Sequence, residues 1–137
     1  MKSFDYSMVK DPTYFKDGRM DAHSDHTYYR DTEEAAEKET SFRYSLNGIW
    51  KFHYARNYGS TVQEFEAEEY CCRDWDDIRV PAHIQMEGYD APQYANVQYP
   101  WEGHEDIHPG EIPEHFNPVA SYVKYFEVPE EMQGKRL

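Results

Sequence analysis

Six of the eight prolines lie between Pro81 and Pro118, and that clustering limits what the chain can build. A proline removes a backbone donor and clashes with the preceding helical turn, and it interrupts the ladder of a central strand. Residues 81–118 are therefore expected to be mostly loop. The periodic stretches that remain alternate in twos. Ile49-Trp50-Lys51-Phe52-His53-Tyr54 reads as a strand behind the turn signal Asn47-Gly48, and Asp77-Ile78-Arg79-Val80 as a brief strand stopped by Pro81. Tyr122-Val123-Lys124-Tyr125-Phe126-Glu127-Val128, β-branched and aromatic and closed by Pro129, is the strongest strand signal. Short strands, proline punctuation and little helix predict an all-β sandwich rather than a bundle or a βαβ fold.

Two short helices are expected. Asp31 is placed to N-cap one, with Glu34 three residues on and the helix formers of EEAAEKE behind it. Ser60-Thr61-Val62-Gln63 has capping-box spacing and would open an acidic helix with Val62 and Phe65 on one face. Residues 1–45 show no sustained period and read as a largely irregular arm. A sandwich needs seven or eight strands, whereas residues 46–137 offer four or five. The chain is thus expected to stop before its sandwich closes, with open edges that invite aggregation.

Leu, Ile, Val and Phe together number twenty-one, about 15% of the chain, beside a formal charge of −13. That balance borders on disorder, but thirteen Tyr and three Trp supply large rings that disordered chains lack. The expected result is a folded, core-poor portion of something larger. An acidic chain without a basic cluster argues against nucleic acid and anionic membrane surfaces. MKSFDYSMVKDP lacks the apolar core of a secretion signal, and no run approaches the roughly 18 apolar residues of a membrane span; a cytoplasmic protein is expected. Cys71 and Cys72 are adjacent, so reduced thiols are the default.

One string looks like chemistry. His104-Glu105-Asp106-Ile107-His108 fits the H-E-x-x-H pattern of zinc hydrolases, with His115 available as a third ligand. That pattern needs a helix several turns long, and Gly103 and Pro109-Gly110 leave room for barely one. A solvated loop with incidental histidines is the expectation, and no metal is assigned. The 27 carboxylates make any acid pair uninformative, and nucleophile-elbow, phosphate-loop and dinucleotide signatures are absent.

Tyr94-Ala95-Asn96-Val97-Gln98-Tyr99 is strand-like but carries an asparagine, which must find partners if buried. Rings that stack on a sugar and an amide that satisfies its hydroxyls would suit a carbohydrate site. An aromatic sandwich core with Asn96 capping a bulge is the other reading of the same residues.

At Gly88-Tyr89-Asp90-Ala91-Pro92-Gln93 and the following YANVQYP, the chain closely resembles the β-galactosidases of glycoside hydrolase family 2. The resemblance extends through Ser45-Leu46-Asn47-Gly48-Ile49-Trp50-Lys51-Phe52, Trp75 to Pro81, Ile84 to Tyr89 and Asn117 to Tyr122, and reaches the arm at His23 and Arg30 to Ala35. Ile84 stands where a tryptophan is common, and the loop from Trp101 to Asn117 is longer than in some relatives. What the resemblance implies is an incomplete, galactose-binding-like jelly roll. In the whole enzyme it would precede immunoglobulin-like domains and a barrel carrying two catalytic glutamates of a retaining mechanism. No catalytic residue is then expected here. Asn96 is carried over as a substrate-binding residue and Val97 as its neighbour. Magnesium and sodium are implied for the whole enzyme through other segments. The implied partners are a β-galactoside, the remainder of the enzyme and further copies of it. A stand-alone carbohydrate-binding module, a segment that complements a split enzyme, a β-glucuronidase and a β-mannosidase are the alternatives.

Overall fold

The computed structural model describes residues 5–91 and 101–134. Three strands form one antiparallel sheet in the order β2-β1-β3, with β1 at Gly48–Ala55, β2 at Asp76–Val80 and β3 at Val119–Val123. The alternation around Trp50 explains the central position of β1. Trp50 stands opposite Ile78 of β2, and Phe52 opposite Tyr122 of β3, so the even-numbered rings share a face with apolar partners. Phe52 is 0% exposed and Ile78 is 2% exposed. The Phe52 ring meets Tyr122 at 4.9 Å and Tyr89 at 4.5 Å between centroids. Such pairs add about 0.5–1.5 kcal/mol each beyond area burial, which is how a chain poor in aliphatic residues still makes a core.

The opposite face is covered differently. Trp75 packs on His53, Phe65 and Tyr70, and its indole N–H donates to the Tyr70 hydroxyl at 3.1 Å. Lys51 lies along this face and reaches the Trp75 carbonyl at 3.2 Å and Asp77 at 2.9 Å. The fold among the described residues is all-β, with one short helix, α1 at Thr32–Glu37. Asp31 caps α1 by accepting from the amides of Glu33 and Glu34, and Glu34 reaches back to the amide of Arg30. No helix among the described residues is long and apolar enough to cross a membrane. Both cysteines are free thiols, Cys71 exposed and Cys72 buried.

Two expectations are corrected. No helix starts at Ser60: Asn57 takes the capping role instead, its side chain accepting from both the amide and the hydroxyl of Ser60, and a single 3₁₀ turn results over Tyr58–Ser60. Glu64 then adopts φ 55°, a left-handed conformation that a continuing helix excludes, and residues 61–69 pass as bends and turns. The last strand is also displaced. It occupies Val119–Val123, not 122–128, because the Lys124 ammonium takes the Ile49 carbonyl at 2.8 Å, where a longer ladder would need a backbone donor. Tyr125, at 71% exposure, gains no burial that would favour extending the strand. The expected strand Tyr94–Tyr99 lies outside the described residues.

Candidate functional site

The chain enters the Asn96 segment from an anchor on the sheet. After the 3₁₀ turn Ile84–Met86, the amide of Tyr89 donates to the Ile84 carbonyl at 3.1 Å. Gly88 at φ 94° and Asp90 at φ 58° flank Tyr89 with left-handed backbone. Glycine adopts that region freely and aspartate tolerates it. The resulting double bend drives the Tyr89 ring against Phe52, with Tyr54, two residues along the same face of β1, at 6.2 Å. Burial, then a hydrogen bond with Asp76, pushes the Tyr89 phenol above its ordinary range. Burial and the charge of Asp90 do the same for Tyr54.

The chain leaves that segment through a second anchor. The amides of His104 and Glu105 donate to the Trp101 carbonyl at 2.9 and 3.2 Å, closing a turn. The Glu105 carboxylate then accepts three backbone N–H groups, from Glu114 at 2.7 Å, His115 at 2.9 Å and Phe116 at 3.2 Å. These hydrogen bonds, that from Glu114 first, hold its pKa below the ordinary carboxylate value, and the adjacent His115 adds to the effect. Phe116 is buried beneath the stacked His104 ring at 4.3 Å and the Arg56 guanidinium at 5.5 Å. The far end of the loop is tied to the end of β1: the Asn117 amide donates to the Arg56 carbonyl at 3.0 Å, and the Asn57 side chain to the His115 carbonyl at 3.3 Å. Asn117 also donates to the hydroxyl of Tyr6, whose ring stacks on Tyr58 at 4.2 Å.

HEDIH is therefore split among unrelated tasks. His104 covers Phe116, Glu105 clasps the loop, and His108 begins a separate turn in which its amide donates to Glu111 at 2.8 Å. His115 contributes its backbone amide to the clasp. Glu105 thus departs from the expected solvated, incidental loop. Its role was invisible in the sequence because a carboxylate that reaches nine to eleven residues along a loop follows no local spacing rule. Among the described residues no three His, Cys, Asp or Glu side chains gather as a metal donor set. The loop encloses an open cavity of about 430 Å³ bordered by Trp101, Ile107 and Pro109 with Glu102, His108 and Glu111. Asn96 and Val97 lie outside the described residues, between the Tyr89 and Trp101 anchors.

The profile of the glycosyl hydrolases family 2 sugar binding domain matches residues 43–137. The chain belongs to glycosyl hydrolase family 2. This family 2 chain is 52% identical over 132 residues to a beta-galactosidase of Halalkalibacterium halodurans, covering 96% of the chain and 13% of that protein. It is 41% identical over 129 residues to a beta-galactosidase of Streptococcus thermophilus, covering 94% of the chain and 13% of the relative. A beta-galactosidase large subunit of Latilactobacillus sakei is 37% identical over 138 residues, with 92% and 22% covered. The family 2 chain thus spans between about an eighth and a quarter of the length of these relatives, and the resemblance read from GYDAPQYANVQYP and SLNGIWKF agrees with the family match.

Proposed function

We propose that this chain is the sugar-binding portion of a β-galactosidase that hydrolyses terminal non-reducing β-galactosides with retention. The catalytic glutamates would lie in a barrel outside these 137 residues, so the chain alone would not turn over substrate. One observation carries the reading: 52% identity to a beta-galactosidase across almost the whole chain. In the same proposal, residues 1–45 form the arm and 46–137 part of a jelly roll that the remaining enzyme completes. Asn96 hydrogen-bonds the sugar hydroxyls and Val97 lies beside it, with both chain ends of their segment fixed at Tyr89 and Trp101. Magnesium and sodium belong to other segments of the whole enzyme, which assembles as a homo-oligomer. The free thiols of Cys71 and Cys72 support a cytoplasmic location, where thiols stay reduced.

The test is complementation. The chain is mixed with a barrel-bearing remainder of a family 2 β-galactosidase and assayed on p-nitrophenyl β-galactoside, with the glucuronide and mannoside as competitors. Turnover that requires both parts and prefers the galactoside is the expected result. Restoration only with the remainder of a β-glucuronidase or a β-mannosidase, and not with that of a β-galactosidase, would reassign the substrate. Galactose affinity of the chain alone, lost in Asn96→Ala, would favour a stand-alone binding module.

A further inference from the structure

We propose that the cavity between β3 and residues 58–66 binds a small amino alcohol, with its hydroxyls at the floor and its protonated amine at the mouth. The cavity lies on the sheet face opposite Phe52 and Tyr89. Ser121 of β3 stands directly across from His53 of β1, so both side chains rise from that face. The turn Tyr58–Ser60 and the bends that follow it face this end of β3 and leave an open cavity of about 480 Å³. Tyr58, Glu64, Phe65 and Glu66 border it from the loop, and Val119 and Ser121 from the strand. Two polar groups without partners mark its floor. Ser121 is 6% exposed, and its hydroxyl takes no hydrogen-bond partner among the described residues. His53 Nδ1 is buried and has none either. Its ring is fixed all the same, packed on Trp75, which packs in turn on Phe65. Buried polar groups are nearly always hydrogen-bonded, so two adjacent ones without partners point to a ligand group that completes them. A hydroxyl, which donates and accepts at once, answers both.

The mouth selects by charge. Glu64 and Glu66 are exposed and enter no salt bridge among the described residues, and no Lys or Arg side chain among them borders the cavity. Two uncompensated carboxylates repel phosphates and carboxylates and attract an ammonium. Between mouth and floor, the Tyr58 and Phe65 rings offer apolar faces to the C–H groups of the ligand, and a ring beside an ammonium adds cation–π attraction. The loop wall is held in place beforehand: Tyr58 stacks on Tyr6 at 4.2 Å, and the Thr61 hydroxyl donates to the Tyr58 carbonyl at 2.7 Å.

The experiment titrates glucamine, an amino polyol, into the isotopically labelled chain, both alone and assembled with an unlabelled barrel-bearing remainder, and follows the NMR signals of the His53 imidazole and the Ser121 amide. Saturable shifts at both residues are expected. Sorbitol, which lacks the amine, and hexylammonium, which lacks the hydroxyls, should each bind about tenfold more weakly. Ser121→Ala should weaken glucamine about threefold to tenfold. The double substitution Glu64→Gln with Glu66→Gln should weaken it to a similar degree and remove the salt dependence of binding; both positions are exposed, so this arm holds even where Ser121→Ala disturbs β3. Absence of a saturable shift at His53 and Ser121 in both forms of the chain overturns the proposal. Equal affinity for sorbitol and glucamine, or an affinity that neither set of substitutions changes, overturns it as well. None of these outcomes bears on the β-galactosidase reading, which complementation tests separately.

Discussion

The sheet around Phe52 and the loop from Trp101 to Asn117 sit in one small protein but are held by different forces. The sheet is held by rings: Phe52 buried against Tyr89 and Tyr122 on one face, Trp75 gathering His53, Phe65 and Tyr70 on the other. The loop is held by hydrogen bonds, three backbone donors on the Glu105 carboxylate and the ties of Asn117 and His115 to the end of β1, around the buried ring of Phe116. Ring burial is insensitive to acid and salt. A carboxylate clasp weakens when its charge is removed. A core-poor chain can thus keep a stable platform and hang from it a loop whose order is set separately, as a binding edge requires.

The largest expected effect comes from breaking the platform. Phe52→Ala removes the one ring common to Tyr89 and Tyr122 and leaves a cavity at the centre of β1, at a cost of about 3–5 kcal/mol. Amide exchange of β1 is expected to lose its protection, and the Tyr89 anchor to be lost with it. Retained protection of β1 would mean that the Trp75 face holds the sheet alone.

Proton titration separates the two regions next. Glu105 has a folded pKa below its ordinary 4.5, so its stabilisation is complete above that value and is lost as pH falls through the folded pKa. Asp31 and Glu34 at α1 are lowered in the same sense, the amide of Glu34 being the main cause for Asp31 and that of Arg30 for Glu34. Tyr54 and Tyr89 are shifted the other way, above 10.0. Their contribution is complete below pH 10 and is lost as pH rises through the folded values. The protection factors of the Glu114, His115 and Phe116 amides, corrected for intrinsic exchange, should therefore fall below about pH 4.5 while those of β1 hold, and β1 should loosen first in alkali. Simultaneous loss at both extremes would show that the loop and the sheet are one cooperative unit.

The same contrast explains what was legible beforehand. Trp50, Phe52 and Tyr54 announced β1 because a half-buried strand repeats every two residues, and Ile78 announced β2 by the same rule. The cap of α1 was readable because Asp31 and Glu34 act within one turn. Side chains that take over backbone partners were not readable. Lys124 ends β3 by occupying the Ile49 carbonyl, Asn57 displaces Ser60 as the capping residue, and Glu105 reaches amides nine to eleven residues away. Each depends on where the fold has already placed a carbonyl or an amide, and residue type alone carries no record of that. At the candidate site, the resemblance supplied Asn96 and Val97, whereas the Tyr89 and Glu105 anchors on either side came from geometry.

A third prediction tests the misread segment by the sign of its effect. Glu64 holds φ 55° at an exposed turn, so Glu64→Gly relieves left-handed strain and is expected to stabilise by about 0.5–1 kcal/mol. If residues 60–69 formed the acidic helix that their capping-box spacing suggests, the same substitution would destabilise by about 1 kcal/mol. Amide exchange around Thr61 to Tyr70 distinguishes the two directions.

The smallest effect asks whether charge matters on the platform at all. Lys51 spans the Trp75 face, with its ammonium on Asp77 at 2.9 Å and on the Trp75 carbonyl at 3.2 Å. Asp77 is largely exposed, so water already screens most of the pair, and ion pairs of this kind contribute about 0.2–1 kcal/mol. Lys51→Met keeps the long apolar stem over the sheet and removes only the charge. Amide protection of β1 should fall by less than about tenfold, and by less still at high salt, where the wild-type pair is itself screened. A larger, salt-dependent loss would mean that the sheet leans on an ionic contact as the loop leans on Glu105, and the division between a ring-held platform and a charge-held edge would then have to be redrawn at Lys51.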